Sequence, residues 1–427
     1  MTALTFLRNA LWGWPTLLLI LAAGVLFSVS TRFFQVRQAP RWLKAPLTSP
    51  GKGEGGISRF QALTAALAGS LGTGNIVGVA VAITAGGPGA LFWMAFSAVF
   101  GMMTVCAENV LAARHRGAPG PLGYLRDLPA GGRLLSGLYA VGCVLSSLAM
   151  GNATQANACA AALEEFSLPP AVTGLLLAGL VFPVALGGFR QGVRITEKLV
   201  PAMTVLYFLL AFGVLWAFRE NLLPALGQVF TGAFSLRAEA GGAAGALLAL
   251  EAGLSRGVFT NEAGLGSSAF AYAEADARSP VDLGCLGIFQ VFLDTLVMCT
   301  VTGLCILVCR SPVLEGAPLT FFAFESAWGP WGGKAVSLCT ALFAVATLLS
   351  WSCYGRAAFC FLTGGRGVPL YALLAALAAF GGSLAPLEAA FLLGDAMNGL
   401  MALPNLLALF LHRKEVAEDC NLGACVL

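Results

Sequence analysis

Long apolar runs alternate with short polar stretches along nearly the whole chain. Eleven runs reach the roughly 20 residues that carry a helix across a bilayer: 12–31, 58–84, 88–113, 135–163, 170–188, 199–218, 241–275, 283–309, 333–361, 367–383 and 386–411. The pattern predicts an all-α integral membrane fold with 11 transmembrane helices and no appended soluble domain. The longest connection, about 30–57, is basic and carries Phe33, Phe34 and Trp42, which suits a segment lying in the membrane interface. Run 1 follows a single basic residue, Arg8, and is long for a signal-peptide core, so it reads as a retained helix.

Composition excludes several function classes. Of 427 residues, 58% are hydrophobic and 11% charged, against about 25% charged in a soluble domain. A cytosolic enzyme, a nucleic-acid binder and a disordered chain are all excluded. The 12 cysteines contain no CxxC. Cys106, Cys143, Cys159, Cys285, Cys299, Cys305, Cys339 and Cys360 sit in apolar runs and read as small packing residues.

The cations set an orientation. Of the 24 Lys and Arg, eighteen lie in the connections after runs 1, 3, 5, 7, 9 and 11, five lie on the other side, and Arg256 is inside run 7. The excess of positive charge on cytoplasmic loops then places the N-terminus outside and the tail, 412–427, in the cytoplasm.

Two runs are interrupted. Run 2 contains Gly69-Ser70-Leu71-Gly72-Thr73-Gly74-Asn75, and run 7 contains a Gly-rich stretch from Gly253 to Gly266 that includes Asn261. Clustered Gly costs a helix about 1 kcal/mol each, and Asn prefers helix ends. Both stretches are expected to unwind, which at membrane depth requires a cavity or burial in protein. With run 1 set aside, the interrupted runs open two sets of five. The chain then divides into 1–57, 58–218, 219–411 and 412–427. Because five is odd, the sets form a 5+5 inverted repeat with discontinuous helices 2 and 7 and one extra N-terminal helix. Such paired interruptions point to the central site of a transporter. Half-helix N-termini after Asn75 and Ala263 offer amides to a carboxylate, and carbonyls near Leu71 suit an ammonium or Na⁺.

Asn152, Gln155 and Cys159 share one helical face, as do Thr347, Ser350, Trp351 and Tyr354. Lining a cavity and bonding between helices fit them equally. Arg256, Glu262, Asp294 and Asp395 lie within spans, where each charge costs about 2.5–3.5 kcal/mol near the centre. Arg256 and Glu262 flank one break and are expected to pair. Asp294, a lone carboxylate, suits cation binding or gating. Glu108, near the end of run 3, is expected to partner Arg114 or Arg116 at the interface. Neither His115 nor His412 lies inside a span, which favours Na⁺ coupling, while the carboxylates keep H⁺ open. An intramembrane hydrolase is disfavoured, because Ser267-Ser268 lack a following Gly and no span holds a His.

The stretches TAALAGSLGTGNIVGVAVAITAGGPGA (64–90) and GLSRGVFTNEAGLGSS (253–268) resemble the signatures of the alanine-or-glycine:cation symporters, the sodium:alanine symporter family. GNATQANA (151–158), ATLLSWSCYG (346–355) and DAMNGLMALPNL (395–406) agree with it. The resemblance covers about residues 12–411. It implies a leucine-transporter-like fold and Na⁺-coupled import of alanine and glycine, small neutral amino acids, across the cytoplasmic membrane of a bacterium or archaeon. It implies no nucleic acid and no obligate protein partner. Carried onto this chain, it places the substrate against Gly72, Thr73, Gly74 and Asn75. Gln155 would meet its polar atoms, Thr347 and Trp351 would close the pocket, and Phe259 and Asn261 would stand at the second break. Na⁺ would take carbonyls near Ala68 and Leu71 and the Thr347 hydroxyl. The chain departs from the family pattern at Ala346, Ser350 and Cys353, where Ser, Gly and an aromatic are common.

Overall fold

The structure is a computed structural model that describes residues 2–47, 57–234, 242–276, 279–309 and 314–423. Lys52, Arg237, Arg278 and Arg310 of the orientation argument, and the 48–56 part of the basic connection, lie outside the described residues. Among the described residues, eight helical stretches are long and apolar enough to cross a membrane. The first, Ala3–Ser30, joins α1 (Thr2–Leu11) to α2 (Trp14–Ser30). Run 2 is split into α3 (Arg59–Ser70) and α4 (Val77–Gly86). Then come α5 (Gly89–Arg114), α6 (Gly132–Phe166), α7 (Pro170–Gly187) and α8 (Phe189–Ala217). Run 7 is split into α9 (Gly242–Asn261) and α10 (Ser267–Ala273); the expected unwinding from Gly253 is corrected, because Gly253 to Asn261 stays helical by packing on α5 and only 262–266 leave the helix. The chain continues through α11 (Pro280–Val308), α12 (Pro330–Thr363), α13 (Val368–Leu384) and α14 (Leu387–Leu411), and ends in α15 (Arg413–Gly423).

Local chemistry explains the boundaries. Ser58 and Gln61 form a capping box at the start of α3: Ser58 Oγ accepts the Gln61 amide at 3.1 Å, and Gln61 Oε1 accepts the Ser58 amide at 3.0 Å. The helix ends when Leu71 turns to ψ 74. α6 and α11 each carry a π-helical stretch, Ser147–Thr154 and Phe292–Cys299. Such widened turns often sit at functional sites, and here one delivers Gln155 and the other contains Asp294.

Small residues let the broken helices approach their neighbours. A Cβ at Gly253 would lie 2.5 Å from both Ala90 O and Trp93 Cβ, and one at Gly257 would run into Ser97 Oγ. The Gly253-x-x-x-Gly257 stripe of α9 thus lies directly on the α5 backbone, the close packing that small residues permit in membranes. The cysteines named above are buried, apart from half-buried Cys360.

Overpacking a tight contact costs about 1–3 kcal/mol, so Gly253→Leu should lower the melting temperature of the detergent-purified protein by several degrees. Gly78→Ala, where a Cβ meets nothing within 4 Å, should leave it unchanged. Equal melting temperatures for both variants would contradict the packing described.

Candidate functional site

At the first break, the Gly72 amide sets the geometry. A continued helix would give it to Ala68 O; instead it reaches Ser70 O at 2.7 Å and Asn75 Oδ1 at 3.0 Å. The Ala68 carbonyl thereby loses its helical partner. Thr73 gives both its amide (3.2 Å) and its hydroxyl (3.0 Å) to Gln155 Oε1. Asn75 Nδ2 donates to Asp294 Oδ1 at 2.8 Å and to Asp294 O at 3.0 Å, and Asp294 Oδ2 accepts the Thr295 hydroxyl at 2.6 Å. A Cβ on Gly72 would stand 2.7 Å from Thr347 Oγ1 and 3.1 Å from Gln155 Oε1. One on Gly74 would meet Thr260 Cγ2 at 2.7 Å and Phe259 Cδ1 at 3.5 Å. The structure therefore gathers Gly72, Thr73, Gly74, Asn75, Gln155, Phe259, Thr347 and Asp294 around one unwound turn, and their side chains are buried. From the same side of α12, Ser350 Oγ and Tyr354 Oη both donate to Ala65 O, at 3.0 and 3.1 Å.

The second break is built differently. Glu262, Gly264 and Gly266 all have positive φ, at 57°, 90° and 71°. Glu108 Oε1 accepts the amides of Gly264 (2.9 Å) and Gly266 (3.0 Å) and the Asn405 side-chain amide (2.8 Å). Asn405 also donates to Gly264 O at 2.9 Å and accepts from Tyr124 Oη at 2.5 Å, while Tyr139 Oη donates to Leu265 O at 2.7 Å. Amides after Ala263 that were expected to be open to a ligand are thus filled by the protein's own carboxylate. Glu108 is buried in this seat, and the expected interfacial pairing with Arg114 or Arg116 is corrected. The signal in the sequence was a carboxylate six residues inside the end of an apolar helix. Nothing local revealed that it answers amides some 150 residues away.

Two predicted site residues belong to this second break. Asn261 Oδ1 accepts the Ala263 amide at 3.0 Å, and Trp351 Nε1 donates to Glu262 Oε1 at 2.8 Å. Glu262 also accepts the Ser267 hydroxyl. The expected Arg256–Glu262 pair does not form: Arg256 bonds Asp395 instead. Its guanidinium also lies over the rings of Phe259 (4.8 Å) and Phe391 (5.4 Å), where cation–π attraction partly replaces lost hydration. Asn152 and Cys159, which share a face with Gln155, turn to α12 instead. Asn152 Oδ1 accepts from Ser352 Oγ at 3.3 Å, and Cys159 Sγ lies 4.0 Å from Ala341 O.

A cavity of about 430 Å³ opens beside the first break, lined by Arg8, Glu251, Arg256, Glu388, Phe391 and Asp395 among others. Phe259 lies between this cavity and the first break, packing on Phe391 (centroids 5.6 Å apart) on one side and facing Gly74 on the other. Closed polar breaks beneath a mixed-charge vestibule can hold a small zwitterion and a cation out of water.

The family model for the sodium:alanine symporter family matches residues 1–421. A sodium/alanine symporter of Methanococcus maripaludis is 38% identical, over 96% of this chain and 94% of that protein. A probable sodium/glutamine symporter of Bacillus subtilis is 33% identical, over 96% and 87%. A putative sodium/proton-dependent alanine carrier of the same organism is 31% identical, over 96% and 89%. In fold, the chain is similar to a manganese transporter of Eremococcus coleocola, with TM-score 0.54, 17% identity, and coverage of 86% of this chain and 81% of that one. On the whole-chain match, the chain is a multi-pass membrane transporter, not an enzyme, and belongs to the sodium:alanine symporter family.

Proposed function

We propose that the chain is a Na⁺-coupled symporter that imports alanine, glycine and similar small neutral amino acids across the cytoplasmic membrane by alternating access. The observation that carries this reading is the first break, where Gln155, Thr347 and Phe259 converge on Gly72, Thr73 and Gly74. The substrate carboxylate takes the amides of this break. Gln155 holds the Thr73 amide and hydroxyl with a neutral carboxamide oxygen, which a carboxylate can displace. The amides of the second break are already held by Glu108. Phe259 limits the side-chain room, which suits alanine or glycine.

The Na⁺ site of this reading uses the Ala68 and Leu71 carbonyls and the Thr347 hydroxyl. Its support is the diverted Gly72 amide, which frees the Ala68 carbonyl. Thr347 Oγ1 donates to Phe343 O at 3.1 Å, which leaves oxygen lone pairs for a cation. The 5+5 inverted repeat, with breaks at runs 2 and 7 and the N-terminus outside, completes the reading. The vestibule is then the outer approach, and Phe259 with Phe391 its floor. Trp351 and Asn261 hold the second break in shape. A proton-coupled transporter of the same fold is the second reading. It is favoured by one feature, the buried carboxylate of Asp294 on Asn75.

Labelled alanine uptake into proteoliposomes separates these. Accumulation above equilibrium with an inward Na⁺ gradient, and not with an equal K⁺ gradient, is expected. Uptake driven by a pH gradient without Na⁺, and lost in Asp294→Asn, would favour the proton reading. Thr347→Ala should raise the Na⁺ concentration for half-maximal uptake about tenfold, the equivalent of 1.4 kcal/mol. An unchanged Na⁺ dependence would remove Thr347 from the ion site. Gln155→Ala should abolish uptake while the protein still elutes as a folded species, and wild-type rates would remove it from the substrate site. Glu108→Ala strands three donors at about 1–3 kcal/mol each, so it should destabilise the protein strongly. Glu108→Gln keeps an acceptor oxygen and should be milder, and the order of their melting temperatures checks this.

A further inference from the structure

The two histidines of the sequence play no part in the transport site, yet the fold brings them together. His115 follows α5, and His412 joins α14 to α15. Their ring centroids are 4.9 Å apart, and Glu415 lies between them. His115 Nε2 is 3.1 Å from Glu415 Oε2, and His412 Nδ1 is 2.6 Å from Glu415 Oε1. Ligand atoms of the three residues all lie within 4.8 Å of one another. His412 and Glu415 stand one helical turn apart, a spacing that aims both at one point.

The outer ring nitrogens carry the argument. His115 Nδ1 faces Asp127 Oδ2 at 2.9 Å, and His412 Nε2 faces the Tyr124 carbonyl at 3.0 Å. Metal-bound imidazoles are almost always held this way, with the far N–H given to a carboxylate or a backbone carbonyl. Each ring therefore meets an oxygen acceptor on both sides, whereas a neutral imidazole has one N–H. With the outer nitrogens donating, both inner nitrogens turn lone pairs toward Glu415, and a cation among the three groups resolves the conflict. The neighbouring charges are Arg114, at 3.6 Å from Glu415 Oε2 and 3.2 Å from Asp419 Oδ2, and Arg126, at 3.8 Å from Asp127 Oδ1.

The geometry points to a divalent transition-metal site formed by His115, His412 and Glu415, of the Zn²⁺ class, with water in the fourth position. Two imidazoles and a carboxylate are a ligand set this metal takes, with bonds of about 2.0–2.2 Å. Binding moves the Glu415 carboxylate aside to give one oxygen. It joins the end of α5, the Pro121–Arg126 helix with the adjoining Asp127, and α15, and so fastens the C-terminal helix to the bundle.

The test uses the full chain, purified in detergent and stripped with a chelator, titrated with Co²⁺ and then with Zn²⁺ in competition. One equivalent of Co²⁺ should give visible d–d bands without thiolate charge transfer, which distinguishes this site from the cysteines, and Zn²⁺ should abolish them. His115→Asn, His412→Gln and Glu415→Gln should each remove the bands while elution on gel filtration is unchanged. Asp127→Asn, which touches the site only through His115, should weaken binding ~10–100-fold. Absence of the bands, bands unaltered in both histidine variants, or a spectrum dominated by thiolate charge transfer would overturn the proposal. Satisfaction of the rings by extra protons alone would give the first of these results.

Discussion

Every peptide group that leaves a helix inside a bilayer must find a partner within the protein. The rest of this structure depends on that constraint. Two helices unwind at depth, and most of the buried polar side chains around them are there to answer the exposed amides and carbonyls. Gln155, Asn75, Ser350 and Tyr354 do so at the first break. Glu108, Asn405, Asn261 and Tyr139 do so at the second. The glycines belong to the same solution, since close approach of backbones brings these partners within reach.

The two breaks are answered with unlike chemistry. At the second, an internal carboxylate takes two backbone amides and a side-chain amide, and positive-φ residues fix the turn. At the first, the acceptor for Thr73 is a neutral carboxamide, and the Asp294 carboxylate is engaged through Asn75 and not through the backbone. A helix N-terminus whose positive end is already matched by a fixed anion has little left to offer a ligand. One that is matched only by a neutral dipole keeps its affinity for an anion. The asymmetry supports the proposed reading, in which the ligand binds at the first break and the second frames it.

The buried charges follow the same economy. Arg256 is matched by Asp395, with two aromatic faces supplying further stabilisation. Arg8 approaches the same Asp395 carboxylate at 3.7 Å and Glu251 at 3.9 Å, which ties the N-terminal helix to the rim of the vestibule. Breaking one member of such a set leaves an uncompensated charge in a poor dielectric, which is why the members act as a group.

The sequence by itself determined the class of protein and the position of the first interruption; it placed the second from Gly253 onward, whereas the helix there continues to Asn261 and the turn is confined to 262–266. Hydrophobic length and glycine clustering are local properties, legible in one dimension. Family membership was legible too, because the five motifs lie within single segments. Most of the first cluster was also readable: Gly72 to Asn75 mark their own break, and Gln155 and Thr347 stand out as polar residues in apolar helices. What only the tertiary structure decided is which group answers which. Glu108 reads as an interfacial acid until α5 is seen to lie against Gly264 and Gly266, and Arg256 reads as a partner for Glu262 until α14 brings Asp395 to it. Trp351 goes to the second break, and Phe259 to the first, for the same reason. Pairing energy depends on distance in space, and helices far apart in sequence set that distance when they pack.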